Sequence, residues 1–489
     1  MKPTIFDAPV PICEVEAFHH EYDVVVVGFG CAGAAAAREA AASGASVVVL
    51  ERASGAGGSS AQSGGELYLG GGTAVQRACG FEDSADNMFA YLSAALGPHA
   101  DLEKLRLYCD GSVEHFEWFR ECGVDFTKSL YDAPTWMPPT QDGLMWLGEN
   151  AWPYNTIATP VPRGHRPSTE GWAGHTVMAA LIGAAEKAGA VTHTDTRVGE
   201  LIVEAGRVVG VRARHFGVDV TYRARRGVVL ATGGFVDNEE MLGHHAPALL
   251  GHGKVSDGLD DGSGIALGQS VGGAVRRMAA VEVAYTALPA MVVRGMLVNG
   301  LGQRFVNEDV YPGVFSHAAF EQPGPCWAII DEAGLEDIPE QDAWGVRPQH
   351  AAETLAELET DLGLPPGSLE ATVALYNRHA AEGADAQFHK DSKWVRVLDG
   401  PWAAVDPRLG FAPSGRAGQV PGSGFSGFTL GGLRTTVDGH VLSLSGDPIP
   451  GLYAAGRASS GIHGDGYVSG TSLGDGTFFG RRAGRRAAD

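Results

Sequence analysis

Gly28-Phe29-Gly30-Cys31-Ala32-Gly33 sets three glycines at the spacing Gly-x-Gly-x-x-Gly, directly after the run Val24-Val25-Val26-Val27. That spacing can bind an anion. The first glycine permits a tight turn, the second lets a pyrophosphate approach the backbone, and the third lets the next helix pack on the strand. The N–H groups opening that helix, at Cys31 and Ala32, supply donors. Glu51, with Arg52 beside it, ends the next apolar run and is placed to accept hydrogen bonds from ribose hydroxyls.

Three more glycine elements lengthen the predicted ligand. Gly57 to Gly65 follows at once, with Gly58, Ser59, Ser60, Ser63, Gly64 and Gly65 as close-approach positions; taken alone, such a loop also reads as merely flexible. Ala231-Thr232-Gly233-Gly234 follows another β-like run, and Gly451 to Gly456 precedes the final glycine loop with Ser472 and Leu473. A nicotinamide nucleotide has no use for the second loop. The second phosphate, ribityl chain and ring of FAD do, so the spacing predicts FAD, with Val198 on a neighbouring strand as a further contact.

These residues need elements to hold them. The pattern predicts a strand from Tyr22, an Ala-rich helix from Ala32 to Ser43 and a strand from Ser46 to Leu50. Amphipathic helix follows between Glu82 and Cys122, then an ordered Trp/Pro/Gly loop over 131–165 and a helix from His175 to Ala188. Strands are expected over Val191 to Arg214, turning at Gly206, and from Arg226 to Leu230; a helix from Leu473 to Ala487 closes the chain. Between 279 and 410 acids become commoner, and a helix from Leu369 to His379 takes Ser368 as its N-cap. The expected fold is α/β: a Rossmann-like FAD-binding domain in two parts, 1–278 and 411–489, with an inserted α+β substrate (cap) domain, 279–410.

Composition excludes several classes. Of 489 residues, 36 are basic and 58 acidic, a net charge of −22, which argues against nucleic acid or an anionic membrane surface as partner. The 70 glycines lack a collagen-like period. Six scattered cysteines without a Cys-x-x-Cys pair predict reduced thiols, a cytoplasmic protein and no metal. No run of about 18 apolar residues suggests a membrane span.

The chain resembles the FAD-dependent fumarate reductase and 3-ketosteroid dehydrogenase superfamily. The resemblance rests on Gly28 to Glu51, Gly57 to Gly65, Ala231 to Gly234, Gly302 to Glu308, Thr429 to Gly432 and Ile449 to Gly456. Members acting on dicarboxylates place cations where this chain has Asn307-Glu308-Asp309-Val310-Tyr311-Pro312, Phe428-Thr429-Leu430-Gly431-Gly432 and His463 to Leu473. A dianion needs such cations, which disfavours a fumarate-type substrate. The covalent flavin linkage of respiratory members uses a His after the second strand, and Ser59 to Ser63 has none, so non-covalent FAD is implied.

Tyr467-Val468-Ser469-Gly470-Thr471-Ser472-Leu473 is similar to the C-terminal motif of the 3-ketosteroid Δ4-(5α)-dehydrogenases. The resemblance implies proton abstraction at C4 by Ser469, hydride from C5 to flavin N5, and Tyr467 and Tyr311 polarising the C3 ketone or relaying the proton. It implies a steroid-like small-molecule substrate and an electron acceptor that the sequence does not identify. Alternatives are a Δ1-dehydrogenase, a related enone reductase, a dicarboxylate reductase and a non-catalytic flavin carrier. Tyr311 also reads as a core aromatic, and Tyr467 and Ser469 as a polar turn over the flavin. Trp136, Met137, Met145, Trp146, Trp152 and Trp172 read chiefly as core, with a pocket wall as the alternative. Pro162-Arg163-Gly164-His165-Arg166 is expected to contact phosphate or close a salt bridge.

Overall fold

The computed structural model describes residues 8–409 and 424–489, so the expected junction at 410/411 lies outside the described residues. β1 (His20–Val27) runs through the centre of a nine-stranded sheet. Its valines alternate: Val24 and Val26 face the helical layer, while Val25 and Val27 face the β-rich layer. After Gly28 comes α1 (Cys31–Ala42), then β2 (Val47–Leu50), which pairs parallel to β1 from Val24↔Val47 to Val27↔Leu50. The small side chains of α1 let α2 (Gly174–Lys187) pack close against it.

The strand expected over Arg226 to Leu230 is longer. β3 (Val218–Leu230) spans 13 residues, with Thr196–Glu204 and Arg207–His215 forming an antiparallel meander before it. Its final part is buried on both faces, which makes a continuous apolar run. Its earlier part alternates buried residues with Arg223 and Arg225, and charge hid it from the sequence pattern.

β4 (Val281–Tyr285) leads to α3 (Pro312–Phe320), whose N-terminus Tyr311 caps. β5 (Phe425–Thr429) pairs antiparallel with β4 and parallel with Gly253–Lys254. β6 (Pro448–Ala454) pairs parallel with the end of β3, and α4 (Thr471–Ala488) closes the chain against α1. Met296–Val298, Trp327–Asp331, Trp402–Val405 and His350–Ala352 form a separate antiparallel sheet. The 131–165 stretch is more than a loop: short strands at 130–131, 144–145 and 164–165 join Leu67–Tyr68 in a small sheet.

Ser368 is not the expected N-cap. Gly367, at φ +78°, holds that position, and the Glu359 carboxylate accepts the N–H groups of Gly367 (2.6 Å), Leu369 (2.6 Å) and Glu370 (3.0 Å). A carboxylate from the preceding helix serves better than a hydroxyl because it satisfies three donors at once. All six cysteines are unpaired. No helix among the described residues is long and apolar enough to cross a membrane.

Candidate active site

A polar cleft opens at the C-terminal ends of β1, β2 and β3. Gly28, Gly30, Cys31 and Ala32 line it from the first turn, Glu51 and Arg52 from the end of β2, Gly58, Ser59 and Ser60 from the loop beyond. Val198, Ala231, Thr232, Gly233, Gly456, Ser472 and Leu473 also line it, as expected, whereas Gly33, Ser63, Gly64 and Gly65 do not. Gly28 sits at φ +97°, and a Cβ there would lie 2.6 Å from the Ala231 carbonyl oxygen. Gly33 lies beneath the cleft: its Cβ would meet the Gly28 carbonyl oxygen at 1.9 Å.

This cleft fits an extended anionic cofactor. Gly30 caps α1 and Gly470 caps α4, neither with a side-chain hydrogen bond, so two helix N-termini meet the cleft without capping side chains. Glu51 is held in place by the N–H groups of Phe29 (2.9 Å) and Ala53 (2.8 Å), which leaves acceptor capacity for ribose hydroxyls. Ser60 Oγ accepts the Cys31 N–H at 3.2 Å, tying the second glycine loop to the first. Arg52 pairs with Asp261 at 2.7 Å.

Asp260 and Arg457 are among the cleft residues that escaped the sequence pattern. Asp260 pairs with Arg457 at 2.6 Å, and burial holds its carboxyl above the usual range against the pull of that guanidinium. Gly233 is glycine because a Cβ there would lie 2.2 Å from Asp260 Oδ1.

The loop Gly57 to Gly65 reaches beyond the cleft. Gly58 to Ser60 line the cleft, while Ser63 and Gly64 line the cavity beyond it. Gly65, at φ +84°, packs against the N-terminus of α2, where a Cβ would lie 2.6 Å from the Ala173 carbonyl carbon.

That cavity, about 470 Å³, shares Ser59, Ser60, Arg457, Ser472 and Leu473 with the cleft. Its walls are mostly apolar: Trp136, Met137, Trp172, Ala284, Trp344 and Phe428. Three of the Trp/Met residues read chiefly as core thus form a wall instead. Met145 is buried, Trp146 borders a smaller cavity and Trp152 is exposed. Arg163 closes the expected salt bridge, to Asp83 at 2.7 Å with both side chains fully buried, and Arg166 stands 3.6 Å from Glu66.

The three hydroxyls singled out in the sequence converge on this cavity. Tyr311 OH lies 2.7 Å from Ser469 Oγ. Tyr311 is fixed by Pro312 at the first position of α3 and by close contact with Gly148. Tyr467 stacks on His463 (5.3 Å between centroids) and meets the edge of Phe428 (5.4 Å). His463 in turn hydrogen-bonds Thr471 at 2.9 Å. Burial, with Glu282 and Tyr467 nearby, pushes the Tyr311 phenol well above its usual range against the hydrogen bond from Ser469. Burial also raises Tyr467, opposed by Ser472. Both phenols are therefore neutral near pH 7, suited to donating a hydrogen bond or relaying a proton.

The family described as FAD binding domain matches residues 23–473. A solved structure, 3-ketosteroid-Δ4-(5α)-dehydrogenase of Rhodococcus jostii in complex with 4-androstene-3,17-dione, shares 48% identity and a TM-score of 0.91, covering 99% of this chain and 100% of that one. The 3-oxosteroid 1-dehydrogenase of Mycobacterium tuberculosis is 31% identical over 96% of this chain and 98% of its own length. NADH:acrylate oxidoreductase of Vibrio harveyi is 29% identical over 77% of this chain, which spans only 36% of that relative. The cleft, the cavity and these similarities agree: the chain belongs to the FAD-binding 3-ketosteroid dehydrogenase family.

Proposed function

We propose that this protein is a cytoplasmic, FAD-dependent dehydrogenase that desaturates a saturated 3-ketosteroid between C4 and C5, giving a 4-ene-3-ketone. The observation that carries this is the Tyr311–Ser469 hydroxyl pair, 2.7 Å apart, in an apolar cavity continuous with the cofactor cleft. A ligand pocket that is mostly apolar with a few placed hydroxyls suits a fused-ring ketone. The relative with the same bond specificity in its name binds 4-androstene-3,17-dione. Dicarboxylates fit poorly: of the cations lining the cavity among the described residues, Arg457 is engaged by Asp260, and Lys254 stands 3.9 Å from Glu239.

The cleft residues would hold FAD non-covalently, and FAD bound there would supply a two-electron oxidant for the hydride at C5. Tyr467 donates a hydrogen bond to the C3 carbonyl and so acidifies C4. Ser469 accepts the C4 proton as its own proton passes to Tyr311. A serine hydroxyl is too weak a base alone, and the phenol at 2.7 Å makes the transfer concerted. The surrounding aromatic wall lowers the local dielectric and strengthens each of these hydrogen bonds. The inserted segment 279–410 serves as the substrate domain, because β4 and Tyr311 belong to it.

Anaerobic mixing with a saturated 3-ketosteroid tests the proposal. The expected result is rapid bleaching of the oxidised flavin with stoichiometric 4-ene-3-ketone. A 1-ene product, or no bleaching with any saturated ketosteroid, overturns it. Boiled protein should release free FAD.

A further inference from the structure

Each turnover of the proposed reaction leaves one proton on the Ser469–Tyr311 pair. Neither hydroxyl of the Ser469–Tyr311 pair can keep it, so the relay needs a base at its far end. The cavity lining offers two carboxylates, Glu66 and Glu282. Glu66 leads inward: its ion partner Arg166, 3.6 Å away, has no exposed side-chain surface. Glu282 leads outward. Its carboxylate is buried, Oε2 lies 2.9 Å from His317 Nε2, and the His317 side chain is 29% exposed.

One packing contact builds this arrangement. β4 carries Glu282 against α3, which begins just after Tyr311 and holds His317. A Cβ on Gly313 would lie 2.3 Å from Tyr311 Cε1 and 3.0 Å from Glu282 Oε1. The bare Cα of Gly313 is thus what lets the phenol ring and the carboxylate stand side by side.

We infer that Glu282 is the terminal acceptor of the proton taken from C4 and that His317 passes it to solvent, extending the Ser469–Tyr311 pair to the surface. This rests on the reaction proposed above. The C4–H bond breaks and its electron pair becomes the C4=C5 bond as hydride leaves C5 for the two-electron oxidant. Ser469 gains that proton and gives its own to Tyr311; Tyr311 gives its own to a Glu282 oxygen across a gap that the resting hydrogen bonds do not close, and His317 then delivers a proton to water.

The charged surroundings are consistent with a shared proton. Burial raises the Glu282 carboxyl, and its contact with His317 opposes this. Burial draws His317 down, but the hydrogen bond and charge of Glu282, with Glu321 nearby, hold it above its usual range. Tyr311 and Tyr467 face the same carboxylate, and Glu66 acts on both phenols from elsewhere in the cavity lining.

The test is anaerobic rapid-mixing reduction of the holoenzyme by 5α-androstane-3,17-dione, comparing wild type with Glu282→Gln, Glu282→Ala and His317→Gln. The isosteric Gln variant should slow flavin reduction about 100-fold while substrate Kd stays within about twofold. The Ala variant should recover as formate is added, because a small carboxylate can occupy the vacated space. His317→Gln should shift the acid limb of the pH–rate profile. Wild-type reduction rates in Glu282→Gln overturn the inference, as does a loss that formate leaves untouched and that weakens substrate binding equally. Failure of the wild type itself to be reduced would instead strike the proposed reaction.

Discussion

The cofactor cleft and the apolar cavity share Ser472 and Leu473, yet they are built from different materials. The cleft is largely backbone: turns at Gly28 and Gly233, and the starts of α1 and α4. Its donors are peptide N–H groups that titrate nowhere near neutral pH. The cavity is largely side chain, with hydroxyls and the carboxylates of Glu66 and Glu282 set among aromatic rings. The difference separates two tasks. A backbone site holds an anion through any substitution that spares its glycines, whereas a side-chain site can lose its chemistry with one oxygen atom.

The sharpest way to break that contrast is Ser469→Ala. Turnover should fall about 1000-fold, measured by steady-state oxidation of a saturated 3-ketosteroid, while the flavin spectrum and FAD content stay unchanged. An active variant removes Ser469 from the chemistry. Gly33→Ala should do the reverse. Its methyl group meets the Gly28 carbonyl oxygen at 1.9 Å, a backbone clash costing about 3 kcal/mol, and the protein should purify depleted of FAD. Full flavin occupancy in that variant would show that the turn tolerates movement.

A smaller effect distinguishes the two regions by pH. His463, behind Tyr467, is held down to about 3 by burial and the nearby Arg277, and burial holds His165 down to about 4. Both are neutral in the folded protein and gain a proton on unfolding near pH 5. Their contribution is present above pH 6.5 and is lost as pH falls toward the folded values. Each should cost about 2 kcal/mol of stability at pH 5. No histidine lines the cleft among the described residues. Acidification from pH 7 to 5 should therefore lower the thermal midpoint, and His463→Asn should flatten that dependence.

Much of the cleft was legible because its requirements are local. The strand, the turn at Gly28, the small helix and Glu51 lie within about thirty consecutive residues, and sterics dictate their types. Asp260 and Arg457 left no such trace, since nearly two hundred residues separate them and only the arrangement of strands brings them together. Tyr311 and Ser469 are also far apart in sequence, and it was resemblance, not spacing, that marked them. Glu282 and His317 sit in ordinary strand and helix patterns and become notable only when β4 meets α3. The loop ending at Gly65 carries two signals at once, because a glycine needed for packing looks the same as one needed for a ligand.

The pairing of α1 with α4 has a consequence for assembly. Gly480 and Gly484 let α4 press on α1 so closely that a Cβ at either would lie 2.5 Å and 2.2 Å from the carbonyl oxygens of Ala32 and Ala36. Segments about four hundred residues apart in the chain must therefore meet before the floor of the cleft is complete, which makes this step a slow, long-range closure. FAD capture waits on that closure, and until then α1 carries its alanine face bare.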